Sequence, residues 1–160
     1  MSISYLFLVY DNLHPIWKMW FPHTDNIYVH SKYELKDNFF SNNQIPRINT
    51  MWGHISLVEA MILLLKNAII NDKNTHFVFL SGHCVPIFDY FHTCDAISQM
   101  KKSSIQIFHK RNHFGINKAF ENDFIRHSQW CILKRCDVQT ILSNSYTHLF
   151  NIVKIPDEVY

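Results

Sequence analysis

Residues 56–86, SLVEAMILLLKNAIINDKNTHFVFLSGHCVP, carry the reading that decides the fold. The segment LVEAMILLLKNAII is apolar nearly all round, and Ser56-Leu57-Val58-Glu59 has the S-x-x-E form of a capping box. A helix that apolar has to be buried. After the polar NDKN, residues 75–80 (THFVFL) read as a strand, and Ser81-Gly82-His83-Cys84-Val85-Pro86 as its outgoing loop. A buried helix feeding a short apolar strand that ends in a polar loop is a unit of an α/β sheet.

The same alternation extends in both directions. Upstream, residues 4–10 (SYLFLVY) form an apolar run that reads as a buried strand. Asp11 or Asn12 is placed to cap a helix with Pro15 in its first turn, carrying Ile16, Trp17, Met19 and Trp20. Residues 26–30 (NIYVH) read as a second strand, and 31–50 as polar and irregular, with an extended piece at 44–45 ahead of Pro46. Downstream, the pattern predicts a helix over about 89–100, a strand at 104–108 (SIQIF), a basic, His-rich loop, a strand at 129–133 and a helix over 136–144. There is no internal repeat and no low-complexity linker. The expectation is one domain over 1–160, an α/β sandwich with a mostly parallel sheet flanked by helices.

Bulk properties bound the function. At 160 residues with 48% apolar and 18% charged side chains, the chain is an ordinary globular sequence of single-domain length. A net charge of +2 gives no reason to expect nucleic acid as a partner. Only Gly53, Gly82 and Gly115 are glycine, so each marks a candidate special backbone position. No run reaches the roughly 18 apolar residues that span a bilayer. The opening MSISYLFLVYDNLHP lacks the basic start and small-residue cleavage site of a leader and reads as mature structure. Cys84, Cys94, Cys131 and Cys136 allow buried free thiols, disulfides or a zinc site. Neither Cys131-x4-Cys136 nor His83-Cys84 completes a finger spacing.

The motif inventory is mostly negative. The sequence contains no P-loop, no G-x-G-x-x-G and no G-x-S-x-G elbow. A D-x-D pair is also missing, and Glu121-Asn122-Asp123 lies in a polar loop. Polar groups do collect where the strands end: Tyr10-Asp11, His30-Ser31 and Ser81-Gly82-His83. In open α/β sheets ligands bind beyond the carboxyl ends of the strands. Read from the residues alone, Trp17, Trp20, Phe40 and Trp130 are core side chains, and His83 and His113 are hydrogen-bonded loop residues.

Four segments, in order, resemble one family. Met51-Trp52-Gly53-His54-Ile55-Ser56-Leu57-Val58-Glu59-Ala60, following 26–30, resembles its W-G-x-x-S-L-V-x-A entry to a long helix. Phe79-Leu80-Ser81-Gly82-His83-Cys84-Val85-Pro86 resembles its L-S-x-x-x-x-P turn. Residues 126–133 (RHSQWCIL) resemble its G-S-Q-W-F-x-L strand, and Pro156-Asp157-Glu158-Val159-Tyr160 its P-D-E-x-Y. By these matches the sequence is similar to the core 2/I-branching β-1,6-N-acetylglucosaminyltransferases, nearest to their plant branching-enzyme-like members.

The resemblance implies a GT-A fold that moves a sugar, N-acetylglucosamine or similar, from a UDP-sugar to a glycan or glycoprotein acceptor. Transfer would invert the anomeric centre and use no metal or other cofactor. By position Tyr10, His30, Trp52, Gly53, Ser81 and Gly82 would line the donor side, Arg126 and Trp130 the acceptor side, and Glu158 would be the base. An inverting transfer needs one carboxylate to accept the proton of the attacking hydroxyl. Pro156 is suited to open a helix, whose N-terminus would favour an ionised Glu158. The compartment is not fixed by the sequence; the resemblance is to Golgi membrane proteins.

The departures from the family pattern are specific. His127 stands at the usual glycine of the G-S turn, and Lys32 near an acidic position after the second strand. The sequence stops two residues past Glu158, so the basic stretch that neutralises the diphosphate is expected to be missing. Lys110, Arg111, Lys118 and Arg126 are the basic set nearest in sequence. Two alternatives accompany the enzyme reading: a catalytically weak or inactive nucleotide-sugar or glycan-binding relative, and a zinc-stabilised protein unrelated to sugars.

Overall fold

The computed structural model describes residues 2–23, 26–107 and 127–144. Among these residues four strands form one sheet: β1 (Ser2–Val9), β2 (Ile27–Ser31), β3 (Asn74–Ser81) and β4 (Ile132–Lys134). Among the described residues the helices are α1 (Ile16–Trp20), α2 (Asn38–Ser41), α3 (Ile55–Ala68), α4 (Tyr90–Ser98) and α5 (Arg135–Ser143). The sheet order is β2-β1-β3-β4. β1 runs parallel to both β2 and β3, and β4 pairs antiparallel to β3. The expected mostly parallel α/β sheet is the architecture found.

Strand order explains the layering. From β1 the chain moves outward to β2, then returns across β1 to β3 on its far side. Right-handed crossovers in opposite directions must put their helices on opposite faces. Accordingly α1 packs Trp17 and Phe21 on the face bearing Ile3, Tyr5, Phe7 and Val9. α3 packs Ala60, Met61, Leu64 and Leu65 on the face bearing Leu6, Leu8, Phe77 and Phe79. β1 is therefore covered on both sides, which is why SYLFLVY is apolar without alternation. On the α1 face the packing is aromatic: Phe7 meets Trp17 edge-on at 5.2 Å, and Trp17 stacks on Phe21 at 5.4 Å.

Several local expectations are corrected. α1 is not capped by Asp11 or Asn12; Pro15 occupies the N-cap, and His14 Nδ1 accepts from Ile16 N at 3.3 Å. Starting the helix at Ile16, with Pro15 as its cap, leaves residues 10–14 to form the loop after β1. The Ser56 capping box does not form either. α3 starts two residues earlier with His54 as cap, its Nδ1 accepting from Ser56 N at 3.2 Å. The Ser56 hydroxyl instead accepts from Met51 N at 3.0 Å. A four-residue helix, α2, occupies part of the segment read as irregular, with Asp37 as its N-cap accepting from Phe39 N.

The expected strand at 104–108 reduces to isolated bridges, Ser104 to Ile132 and Ile107 to His127. Ile105 and Ile107 alternate as strand residues should, but both remain exposed, so no layer rewards a longer ladder. The strand expected at 129–133 shifts to Ile132–Lys134, and α5 starts one residue before the position expected for it. At its start Arg135 binds three main-chain carbonyls around the end of α3: Ile69 at 2.9 Å and Asn71 and Asn74 at 3.0 Å. This one side chain joins the exit of α3 to the entry of β3.

The four cysteines are unbonded, with Cys131 buried, Cys84 and Cys94 half-buried and Cys136 exposed. Burial pushes the Cys131 thiol up to about 12, so it is a packed, unreactive group. Among the described residues no three His, Cys, Asp or Glu side chains gather to hold a metal. No helix among them is long and apolar enough to cross a membrane.

Candidate functional site

The sheet order β2-β1-β3-β4 makes the carboxyl ends of β1 and β3, with the loops leaving them, the switch point of the sheet, where ligands bind in open α/β sheets. Their approach is set by a glycine. Gly82 is buried, and its carbonyl accepts from His14 N at 2.9 Å. A methyl group at this position would overlap the Asn12 carbonyl oxygen and press on Val9 Cγ1 at 3.3 Å. Only a residue without Cβ lets the two loops touch main chain to main chain.

The rest of the β3 loop is fixed from both sides. The Ser81 hydroxyl accepts from His83 N and Cys84 N, each at 3.2 Å, forming a tight turn. From below, Trp17 Nε1 donates to Cys84 O at 2.9 Å and Trp20 Nε1 to Phe88 O at 2.7 Å. The indoles thus act as core side chains whose polar edges hold the loop. Ser81 contributes order to the turn, and the main chain of 81–84 is held in place at the carboxyl edge of the sheet.

The turn before α3 lies at the same edge of the sheet, after the segment that follows β2. Gly53 has φ 67°, a left-handed conformation that glycine adopts without steric cost. This turn projects Trp52, which is 82% exposed. His30 supports it from inside. It is fully buried on β2, and its Nε2 accepts from Ile48 N at 3.1 Å, anchoring the segment that leads to Trp52. The segment also runs beside β2 through Ile45 N to Val29 O at 2.9 Å. Burial, with help from the Arg47 charge, holds the His30 imidazole below its ordinary pKa and therefore neutral, as an acceptor at Nε2 must be.

Tyr10 leaves β1 beside the end of β2, since Val9 pairs with Ser31. Its ring meets Tyr33 edge-on at 4.9 Å, and Lys32 Nζ lies over both rings, 5.4 and 5.7 Å from their centroids. The hydrogen bond with Tyr33 holds the Tyr10 phenol above its ordinary value. Tyr33 escaped the sequence reading because its pairing depends on two strand ends being neighbours. Trp130 precedes β4 and is partly exposed; the bond from Phe79 N to Cys131 O at 2.9 Å puts it beside the end of β3.

Tyr10, Trp52, Gly53, Ser81, Gly82 and Trp130 are thus gathered at one edge of the sheet, with His30 buried beneath it. Arg126 and Glu158 lie outside the described residues.

A family model described as Core-2/I-Branching enzyme matches residues 3–160. The chain belongs to the Core-2/I-Branching enzyme family. Among curated proteins, this Core-2/I-Branching chain is 26% identical over 130 residues to a protein named Glycosyltransferase BC10 from Oryza sativa subsp. japonica. The match covers 78% of the chain and 33% of the relative, so the chain spans about a third of that protein's length.

Two outcomes test this edge of the Core-2/I-Branching chain. Gly82→Ala should lower unfolding stability by about 1–3 kcal/mol, the usual cost of overpacking, read from urea denaturation. His30 has a depressed pKa when folded, so the unfolded chain binds its proton first. Its contribution to stability is complete above the unfolded value of about 6.5 and falls as pH drops from there through the folded value. The urea midpoint should decline between pH 8 and pH 5, and His30→Gln, which has no proton to gain, should decline less.

Proposed function

We propose that the chain is the nucleotide-sugar-binding and catalytic core of a glycosyltransferase, acting as one domain over 1–160. It takes a sugar, N-acetylglucosamine or a similar one, from a UDP-sugar and delivers it to a hydroxyl of a glycan or glycoprotein. Family membership supports the reaction class. The observation that supports the placement is the main-chain contact between Gly82 and the loop after β1, which fixes both loops at the switch point of a parallel sheet.

In this reading the donor nucleotide lies across the ends of β1 and β3. Gly82 and Ser81 present main chain to it, while Tyr10, Trp52 and Gly53 bound it on the β2 and α3 sides. His30 acts indirectly by holding the segment ahead of Trp52. Trp130, at the end of β3, and Arg126 face the acceptor. Glu158 takes the proton from the acceptor hydroxyl as its oxygen attacks the anomeric carbon, and the UDP leaves from the opposite face with inversion. The leaving diphosphate gathers charge in the transition state, so fixed cations or donors near it contribute much of the rate. This chemistry proceeds without a metal.

Calorimetry with UDP in EDTA tests the nucleotide site. Wild type and Glu158→Gln should both bind, because the base does not hold the nucleotide. Donor hydrolysis or transfer should then fall by about 100-fold or more in the variant, the usual scale for losing a general base. Absence of binding at millimolar UDP would sink the enzyme reading of this chain.

A further inference from the structure

Lys32 occupies an unusual setting. It is the residue after β2, half-buried, with its ammonium over the rings of both Tyr10 and Tyr33. The described residues contain two ion pairs, Lys18 with Asp37 and His92 with Asp89, and Lys32 is in neither. Its main chain is held by Lys32 N to Val9 O at 3.0 Å, and that of Tyr33 by Tyr33 N to Tyr10 O at 2.9 Å. A cation whose stem and head are confined by two rings has lost much of the freedom that binding would otherwise cost. Both rings are about half exposed, so the cluster opens to solvent at the carboxyl edge of the sheet.

We propose that Lys32, held over Tyr10 and Tyr33, is an anion-binding residue that takes a phosphate group of the nucleotide donor. This rests on the nucleotide reading of the switch point and adds a residue to it. An ammonium carries three donors and no acceptor, so it recognises phosphate oxygens and is indifferent to neutral sugars. The aromatic faces orient the charge without neutralising it, as a carboxylate partner would. Lys32 is a binding residue in this account and takes no part in proton transfer.

The test uses calorimetry on the full chain with inorganic pyrophosphate, UDP and uridine as separate probes. Lys32→Met keeps the aliphatic stem on the rings and removes the charge; Lys32→Arg keeps the charge; Lys66→Gln removes an exposed charge near the end of α3, at the opposite edge of the sheet. Lys32→Met should weaken pyrophosphate and UDP about tenfold and flatten their salt dependence. Uridine should be unaffected, Lys32→Arg should retain most of the affinity, and Lys66→Gln should match wild type. Unchanged pyrophosphate affinity in a folded Lys32→Met overturns the proposal, and so does a wild type that fails to bind millimolar pyrophosphate. UDP binding that is indifferent to Lys32 would leave the nucleotide reading standing without this residue. Lys32-dependent pyrophosphate binding without UDP binding would support the anion site and remove the nucleotide reading.

Discussion

The main-chain contact between Gly82 and the loop after β1 is the constraint on which the rest of the candidate site depends. Two loops diverge from neighbouring parallel strands, and the sheet alone does not decide how closely they meet. The absence of a side chain at Gly82 lets its carbonyl take the His14 amide, with Asn12 close beside it. The indoles of Trp17 and Trp20 then hold the outgoing β3 loop from beneath through Cys84 and Phe88. The aromatic layer under α1 therefore supports the site as well as the core: the same rings that bury Phe7 and Tyr5 aim two N–H groups at loop carbonyls.

The other side of the site is organised by a different device. His30 is fully buried, and its value lies in being neutral, since a protonated ring could not accept from Ile48. Through that bond the interior of the sheet fixes the segment running toward Trp52 and the left-handed turn at Gly53. The site is thus built largely from main chain held by buried polar side chains, with aromatic and cationic groups at its rim. Such a construction suits a ligand that brings its own charge and hydrogen-bonding groups.

Much of this was legible in the sequence where burial is complete. The strands in SYLFLVY and THFVFL lie almost wholly inside the two core layers, whereas LVEAMILLLKNAII buries Val58, Met61, Leu64 and Ala68 and leaves Glu59, Lys66 and Ile70 exposed. Residues 104–108 misled because Ile105 and Ile107 imitate a half-buried strand with no layer to cover them. The helix starts differ from expectation because Pro15 takes the N-cap of α1 in place of Asp11 or Asn12, and the His54 ring takes the cap of α3 in place of Ser56. The rarity of glycine singled out Gly53 and Gly82, and the structure supplies a reason for each. The Tyr10–Lys32–Tyr33 cluster was not legible, because it exists only once β1 and β2 lie side by side in register. Nor could spacing reveal that His30 points inward, since its place near a strand end fits either direction.

The central claim is that a nucleotide lies across the carboxyl ends of β1 and β3. The most direct measurement is a titration of 15N-labelled protein with UDP, followed by two-dimensional amide spectra. The account predicts shift changes concentrated at Asn12, Gly53, Gly82 and His83, with little change at the amino edge around Asn26 and Ser98. Changes confined to that amino edge, or none at millimolar UDP, would contradict it.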